Sequence, residues 1–282
     1  MRIAVTGIKG QLGRALEPLL VKEHGVLGLD LPDDDITDLK IVGTIQGFKP
    51  DLVIHAAAMT HVDGCALNPD AAYRVNALGT RNVALACQRA NAAMLYISTN
   101  EVFDGAKDSP YIEFDETHPI NTYGASKLAG EHMVRGLLTN FYIVRTAWLF
   151  GLGGNNFVTK VLQLADSQGE LRVVTDEAGS PTYAQDLALA LCQLIKTAVW
   201  GTYHLTNAGC CSRYEFARRI LELSGRDNVP LHRITVCDFQ RPSCPPHYSG
   251  LRNFCGEALG ITMRPWEEAL AAYLKETGCL EA

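Results

Sequence analysis

The 282-residue chain lacks an excess of positive charge, a Cys-x-x-Cys pair and an apolar run of membrane-spanning length. Twenty-five basic against 31 acidic side chains give a formal net charge of −6, with no basic tail or cluster, so nucleic acid is not an expected partner. The nine cysteines (Cys65, Cys87, Cys192, Cys210, Cys211, Cys237, Cys244, Cys255 and Cys279) are an odd number without metal-ligand spacing. They read as reduced thiols. No histidines cluster around the adjacent Cys210 and Cys211, so no protein-bound metal is expected to be needed for chemistry. The absence of long apolar stretches leaves no candidate for a membrane span. Met1-Arg2-Ile3-Ala4-Val5 runs straight into a glycine-rich turn, where a signal peptide would otherwise stand. A soluble, cytoplasmic protein is the expectation.

What the chain does have is alternation. A short apolar run at residues 2–6 leads through glycines into a helical pattern at Leu12, Leu16, Leu19 and Leu20. Further apolar runs at 26–30, 51–58, 94–98 and 142–148 are separated by helical stretches, one of them around residues 37–48. These runs are continuously apolar rather than alternating, as strands buried on both faces are. The expected fold is α/β, a doubly wound parallel-sheet Rossmann domain. The length leaves room for a smaller second lobe, and the texture changes after Phe150, at a Gly-Leu-Gly-Gly-Asn-Asn loop. A helix near 184–195 and a strand at 201–205 would return to the first sheet. The predicted division is therefore 1–150 with 182–208 for the dinucleotide-binding domain, and 151–181 with 209–282 for a discontinuous α/β substrate lobe.

Gly7-x-x-Gly10-x-x-Gly13 follows the first predicted strand and opens the first predicted helix, the context in which such glycines cradle a pyrophosphate. Backbone amides at the helix N-terminus would supply the donors, which brings Lys9, Gln11 and Leu12 into the same site. Asp30, 17 positions after Gly13 at the end of the second strand, is placed to accept from adenosine ribose hydroxyls. It favours NADH over NADPH, because a 2′-phosphate would meet its carboxylate, with Lys9 or Arg14 as partial compensation. Asp35 and Ile36 would reach the adenine edge. Ala56, Ala57 and Ala58 offer small side chains where a cofactor lies against a strand end.

Tyr123 and Lys127 are the chain's only Tyr-x-x-x-Lys pair, and a four-residue step puts both on one face of a helix. With ten tyrosines the pair by itself is a weak motif. Its place between a Ser98-Thr99 strand end and the 142–148 strand sets it beside the nicotinamide edge of such a sheet. An ammonium beside the phenol, with a bound cationic nicotinamide, would bring Tyr123 from near 10 towards about 7, a differential stabilisation of roughly 4 kcal/mol. Thr99 would hydrogen-bond a substrate carbonyl while Tyr123 protonates the developing alkoxide. Asn76 is expected to brace a helix backbone.

With these residues the chain resembles the extended short-chain dehydrogenase/reductases, and in detail the dTDP-4-dehydrorhamnose reductase family. The matching stretches are TGIKGQLGRAL (6–16), KPDLVIHAAAMTHVD (49–63), STNEVFDG (98–105), YGASKLAGE (123–131), VRTAWLFG (144–151), GNNFV (154–158), GSPTYAQDLA (179–188) and RPSCPPHYSGLRN (241–253). The resemblance implies reduction of the carbon-4 ketone of dTDP-4-dehydro-L-rhamnose to dTDP-L-rhamnose, with hydride from NADH or NADPH. It puts the catalytic threonine, tyrosine and lysine at Thr99, Tyr123 and Lys127, with Lys127 also holding the nicotinamide ribose. It puts substrate contacts at Thr60, Val62, Asn100, Glu101 and Trp148, with Asn155 in the same set and Arg241 and Arg252 as diphosphate contacts. It also implies a monomer or homodimer, some family members carrying Mg²⁺ at the dimer interface, although no dedicated carboxylate cage is evident here.

One stretch departs from the family. Where it commonly reads Ser-Thr-Asp-Tyr-Val-Phe, this chain has Ser98-Thr99-Asn100-Glu101-Val102-Phe103. An amide replaces an acid and an acid replaces an aromatic, so the groups offered to the sugar hydroxyls differ. Two alternatives stay open: a reductase of another NDP-4-keto-6-deoxyhexose, or a cofactor-bound regulatory subunit resembling that of methionine adenosyltransferase. The complete Thr99, Tyr123 and Lys127 set favours chemistry over the latter.

Overall fold

The computed structural model describes residues 1–281. The first half of the chain runs β1 (Arg2–Thr6), α1 (Gln11–Leu20), β2 (Gly25–Leu29), α2 (Lys40–Phe48), β3 (Leu52–His55), α3 (Val62–Leu67), α4 (Pro69–Tyr73), a π-turn (Arg74–Gly79), α5 (Thr80–Ala90) and β4 (Ala93–Thr99). It continues through α6 (Thr122–Leu137), β5 (Phe141–Thr146), β6 (Leu149–Phe150), α7 (Phe157–Gln168), β7 (Leu171–Val174), β8 (Ala178–Gly179) and β9 (Thr182–Tyr183). The last elements are α8 (Ala184–Thr197), β10 (Gly201–His204), β11 (Cys211–Ser212), α9 (Arg213–Leu223), β12 (Leu231–Ile234), α10 (Phe254–Ala258) and α11 (Trp266–Glu276).

Six strands form one sheet in the order β10-β5-β4-β3-β1-β2, and all of its pairings are parallel. The chain steps from β1 to β2 on one side and to β3 on the other. That reversal opens a crevice at the carboxyl ends of the strands, where α/β proteins bind ligands. Ile3, Val5, Ile54, Leu95 and Val144 point to one face and pack with Leu12 and Leu16 of α1 and Leu187 and Leu191 of α8. Ala4, Val53, Met94 and Ile143 point to the other, against Ile41 and Ile45 of α2, Val83 of α5 and Val134 of α6. Both faces are thus covered, which accounts for the unbroken apolar runs; each fully buried aliphatic side chain stabilises the fold by about 1.5–3 kcal/mol.

Several element ends fall short of the sequence expectation, for local reasons. The helix expected from residue 37 begins at Lys40, because Asp35 and Asp38 accept from the backbone amides of Thr37 and Lys40 and hold a turn instead. The third strand stops at His55 rather than reaching Ala58, and Ala56 keeps only a last amide bond to Thr6 O. The fifth stops at Thr146, since Trp148 takes a left-handed backbone with φ of 43°.

A second core gathers aromatic residues of α7, α9, α11 and their neighbours: Phe150, Tyr183, Phe216, Trp266 and Tyr273. Ile261, Cys255, Leu259 and Met263 instead pack on the first core, beside β10. Among the described residues no helix is long and apolar enough to cross a membrane.

At the heart of the sheet is a buried ion pair. Glu131 of α6 accepts from Arg145 Nε at 2.9 Å and Nη2 at 2.8 Å, and from Ser98 Oγ at 2.6 Å. Burial opposes its charge, but Arg145, Ser98 and Arg135 prevail and hold its carboxyl below the usual range. Glu131→Gln is expected to lose about 3–5 kcal/mol of unfolding free energy at pH 7, with Glu131→Gln/Arg145→Met recovering most of it, as read by urea denaturation. Because the folded carboxyl sits below its unfolded value, the stabilisation is present above about pH 4 and fades as pH falls further. The single variant's deficit should shrink accordingly in acid; a deficit independent of pH would contradict this account.

Candidate active site

The glycine turn closes over the end of β3. Gly7 adopts φ of 74°, and a Cβ there would stand 2.7 Å from Ala57 N. A Cβ on Gly13 would collide with the carbonyl oxygens of Gly7 and Ile8. α1 therefore starts tight against the turn, and its N-terminus carries no side-chain cap, leaving backbone donors free for an anion. Asp30 Oδ2 accepts from Lys9 N at 2.8 Å and its Oδ1 from Leu31 N at 2.8 Å, so the carboxylate is pinned at the rim of the cradle. The cradle suits the diphosphate and ribose of a dinucleotide.

α6 positions the next group. Asn121 caps it by accepting from Gly124 N at 2.9 Å, and glycine at 124 lets the helix press against the backbone carbonyl of Glu101, where a Cβ would overlap it. Tyr123 and Lys127 face the cavity one turn apart, and Glu131 follows a turn later. Lys127 is only 3% exposed; its Nζ donates to Ile97 O at 2.7 Å and lies 4.2 Å from the centre of the Tyr96 ring. Burial lowers the Lys127 pKa to about 7, with the Glu131 carboxylate working the other way. Burial also drives Tyr123 well above its ordinary value, Glu101 pushes it further, and the Thr99 hydroxyl opposes. The expected pull of Lys127 on the phenol is outweighed by desolvation when the protein's own groups act alone.

The residues expected to hold cofactor and substrate, Arg14 and Arg252 excepted, line one cavity of about 1560 Å³, larger than the roughly 300–1,000 Å³ of a single drug-sized ligand. Gly7, Lys9, Gly10, Gln11, Leu12, Gly13, Asp30, Asp35, Ile36, Ala56, Ala57 and Ala58 share it with Thr60, Val62, Asn100, Glu101, Trp148, Asn155 and Arg241. Their surroundings differ from the sequence picture in three places. The Asn100 amide is occupied, donating to Ser249 Oγ at 2.7 Å and accepting from Thr99 Oγ1 at 3.2 Å; it braces Thr99. Asn155 follows Gly153 and Gly154, which press on Arg14 and Gln11, so its loop lies over α1. Arg252 does not line the cavity: it is paired at the surface with Glu257 at 3.1 Å.

Sequence reasoning also missed residues. Arg213, at the start of α9, stacks 3.5 Å from the centre of the Trp148 ring and donates to Glu177 Oε1 at 2.9 Å. Arg241 Nε donates to Asp63 at 2.9 Å, and Ser243 donates to the same oxygen. Of these, Asp63, Glu177, Arg213 and Ser243 were not foreseen; they line or adjoin the cavity from four separate stretches of chain, and no local spacing announces them. Beneath the site, His55 accepts from Thr6 Oγ1 at 2.7 Å and donates to Thr80 Oγ1 at 3.0 Å, since the Thr80 proton goes to Asn76 O. Asn76 bonds both the amide and the carbonyl of Met59, and Ser126 Oγ. It braces the loop after β3 against α6. Among the described residues no group of three or more His, Cys, Asp or Glu is placed to hold a metal.

Comparison with known proteins agrees with this geometry. The family model described as the RmlD substrate binding domain matches residues 1–279. A spore coat polysaccharide biosynthesis protein, SpsK, of Bacillus subtilis (strain 168) is 40% identical over 277 residues, covering 98% of this chain and 97% of that protein. A dTDP-4-dehydrorhamnose reductase of Aggregatibacter actinomycetemcomitans is 40% identical over 284 residues, covering 95% and 97%. The crystal structure of dTDP-4-dehydrorhamnose reductase from Bacillus anthracis in complex with NADP superimposes with a TM-score of 0.94 at 40% identity, covering 98% of this chain and 99% of that one. A Rossmann sheet, a glycine cradle and a Thr-Tyr-Lys set along one cavity, together with a match running from residue 1 to residue 279, make this chain a member of the RmlD substrate binding domain family.

Proposed function

We propose that the protein reduces the carbon-4 ketone of dTDP-4-dehydro-L-rhamnose to dTDP-L-rhamnose, using NADH or NADPH. The observation that carries this reading is the meeting of Thr99, Tyr123 and Lys127 in the cavity that the glycine cradle opens. Support comes also from its relatives named dTDP-4-dehydrorhamnose reductase and from the NADP held by the Bacillus anthracis structure. Gly7, Gly10, Gln11, Leu12 and Gly13 would hold the diphosphate, Asp30 the adenosine ribose and Lys127 the nicotinamide ribose. The bound nicotinamide supplies the hydride.

The chain's own groups manage the proton. Burial keeps the Tyr123 phenol protonated at neutral pH, the form a general acid must have before the carbonyl oxygen gains charge. Thr99 accepts from Glu101 N at 3.2 Å and, with no substrate bound, gives its one hydroxyl proton to Asn100 Oδ1; to donate to the carbonyl oxygen it turns that proton from Asn100 to the substrate. The Lys127 ammonium offers its remaining protons to ribose and phenol oxygens and stabilises the phenolate left behind. Arg213 and Arg241 supply positive charge for the substrate diphosphate, each steadied by an acid, Glu177 or Asp63. Trp148 gives the sugar an apolar wall.

Three outcomes follow. Tyr123→Phe should lower kcat by about 10²–10⁴-fold with NADH binding unchanged; equal turnover by the two proteins would sink the catalytic assignment. With Lys127 titrating at about 7, its charge is lost as pH rises, so kcat/KM should fall on the alkaline side with a midpoint near that value. Glu101→Gln should leave that midpoint in place. Finally, Asp30→Ala should raise the NADPH to NADH ratio of kcat/KM by about tenfold, since the acid repels a 2′-phosphate; an unchanged ratio would remove Asp30 from cofactor choice.

A further inference from the structure

A carboxylate that hydride transfer does not need stands beside Tyr123. Glu101 lies in the short turn Asn100–Val102 directly after β4. Its Oε2 accepts from Asn121 Nδ2 at 2.7 Å, and Asn121 is the cap of α6 that also binds Gly124 N. One helix N-terminus therefore fixes both the carboxylate and the phenol two residues into that helix. Among the described residues the other carboxylate oxygen, Oε1, has no hydrogen-bond partner, and Glu101 lines the cavity. Its charge is felt at Tyr123, so the two groups address the same part of the cavity.

A ketone held by hydroxyl donors has acidified hydrogens on the two ring carbons next to it. A base fixed near such a carbonyl can remove one of them, and it does so best when its pKa is close to the working pH. Burial raises Glu101 to about 7; Asn121, Arg213 and Arg241 oppose the shift and Glu177 adds to it. An exposed glutamate, at about 4.3, would be a far weaker base.

We propose that Glu101 is a general base acting on the carbon adjacent to the ketone, so that the protein exchanges an α-hydrogen of its 4-ketosugar with solvent in a second activity, independent of reduction. This rests on the 4-ketosugar reading above. Oε1 takes the α-proton, the C–H electron pair becomes the new C=C bond, and the carbonyl π pair moves to oxygen, which receives the Tyr123 proton. The reverse steps return a proton from Glu101 to carbon and one from the enol to Tyr123. Nothing is oxidised or reduced, and solvent protons enter through Glu101 between the two halves.

The test uses the full chain in D₂O with dTDP-4-dehydro-L-rhamnose and NADP⁺, which fills the cradle without reducing the ketone. Deuterium gain is followed by mass spectrometry, and the same preparation is assayed for ketone reduction with NADH and NADPH. Wild type should incorporate one deuterium next to the ketone about 100-fold faster than buffer alone. Glu101→Gln, checked for substrate binding by titration, should lose that acceleration. Wild type that reduces the ketone yet exchanges no faster than buffer overturns the inference, as does undiminished exchange in Glu101→Gln. Failure of both reduction and exchange brings down the ketosugar reading, and this inference with it.

Discussion

Burying the ammonium of Lys127 is the constraint around which the site is built. An isolated buried charge costs several kcal/mol even after relaxation, and Lys127 is 3% exposed. The Tyr96 ring, the Ile97 carbonyl and the Glu131 carboxylate are what the chain sets against that cost. Glu131 must itself be buried one turn further along α6, so Arg145 and Ser98 neutralise and bond it. The polar residues at the ends of two otherwise apolar strands, β4 and β5, are there because α6 carries charge into the sheet. The same field keeps His55 neutral: burial and then Lys127 push its pKa down to about 3. A neutral imidazole with both nitrogens bonded can rivet β3 to the threonines around it without adding a second cation.

The far wall of the cavity depends on α6 in turn. Asn121, at its cap, reaches Cys244 O at 3.2 Å, while Asn100 reaches Ser249 and Asp63 holds Arg241 and Ser243. These bonds join residues more than 100 positions apart and tie the 241–249 segment to the helix that bears Tyr123. Asn100, Asn121, Ser243 and Ser249 are buried, so breaking the bond between Asn100 and Ser249 leaves a buried partner unsatisfied at a cost of about 1–3 kcal/mol. The sugar-binding wall and the proton donor are therefore positioned by one set of contacts.

The sheet, its parallel order and the glycine cradle were legible because they rest on local signals. Continuous apolar runs, a strand-turn-helix glycine spacing and a four-residue Tyr-Lys step each lie within a dozen residues. The helix and strand ends were less so. Asp35 and Asp38 form side-chain turns, and Trp148 adopts a left-handed backbone, choices made by hydrogen bonds and packing rather than periodicity. Glu177, Arg213 and Asp63 were invisible, since each matters through a partner in a distant segment. Asn100 illustrates the converse. Its position beside Thr99 was plain, but only the fold reveals that its amide also bonds Ser249.

The proton balance of the site was the least legible of all, and it reverses a simple expectation. A lysine one turn from a tyrosine suggests a phenol made acidic by its neighbour. Burial instead raises the phenol, which stays neutral, and lowers the ammonium to about 7, so that Lys127 still carries its proton below that pH. That state suits reduction, which needs the proton in place on Tyr123 before negative charge develops on the substrate. Charge then arrives with the reaction: as the carbonyl oxygen becomes an alkoxide, it is more basic than any phenolate, and transfer from Tyr123 runs downhill. A phenolate so formed raises the basicity of Lys127 by Coulomb attraction, at a low effective dielectric where that attraction is strong. The Lys127 ammonium is thus arranged to meet a negative charge that develops on Tyr123 only as the reaction proceeds, which is where stabilisation accelerates a reaction.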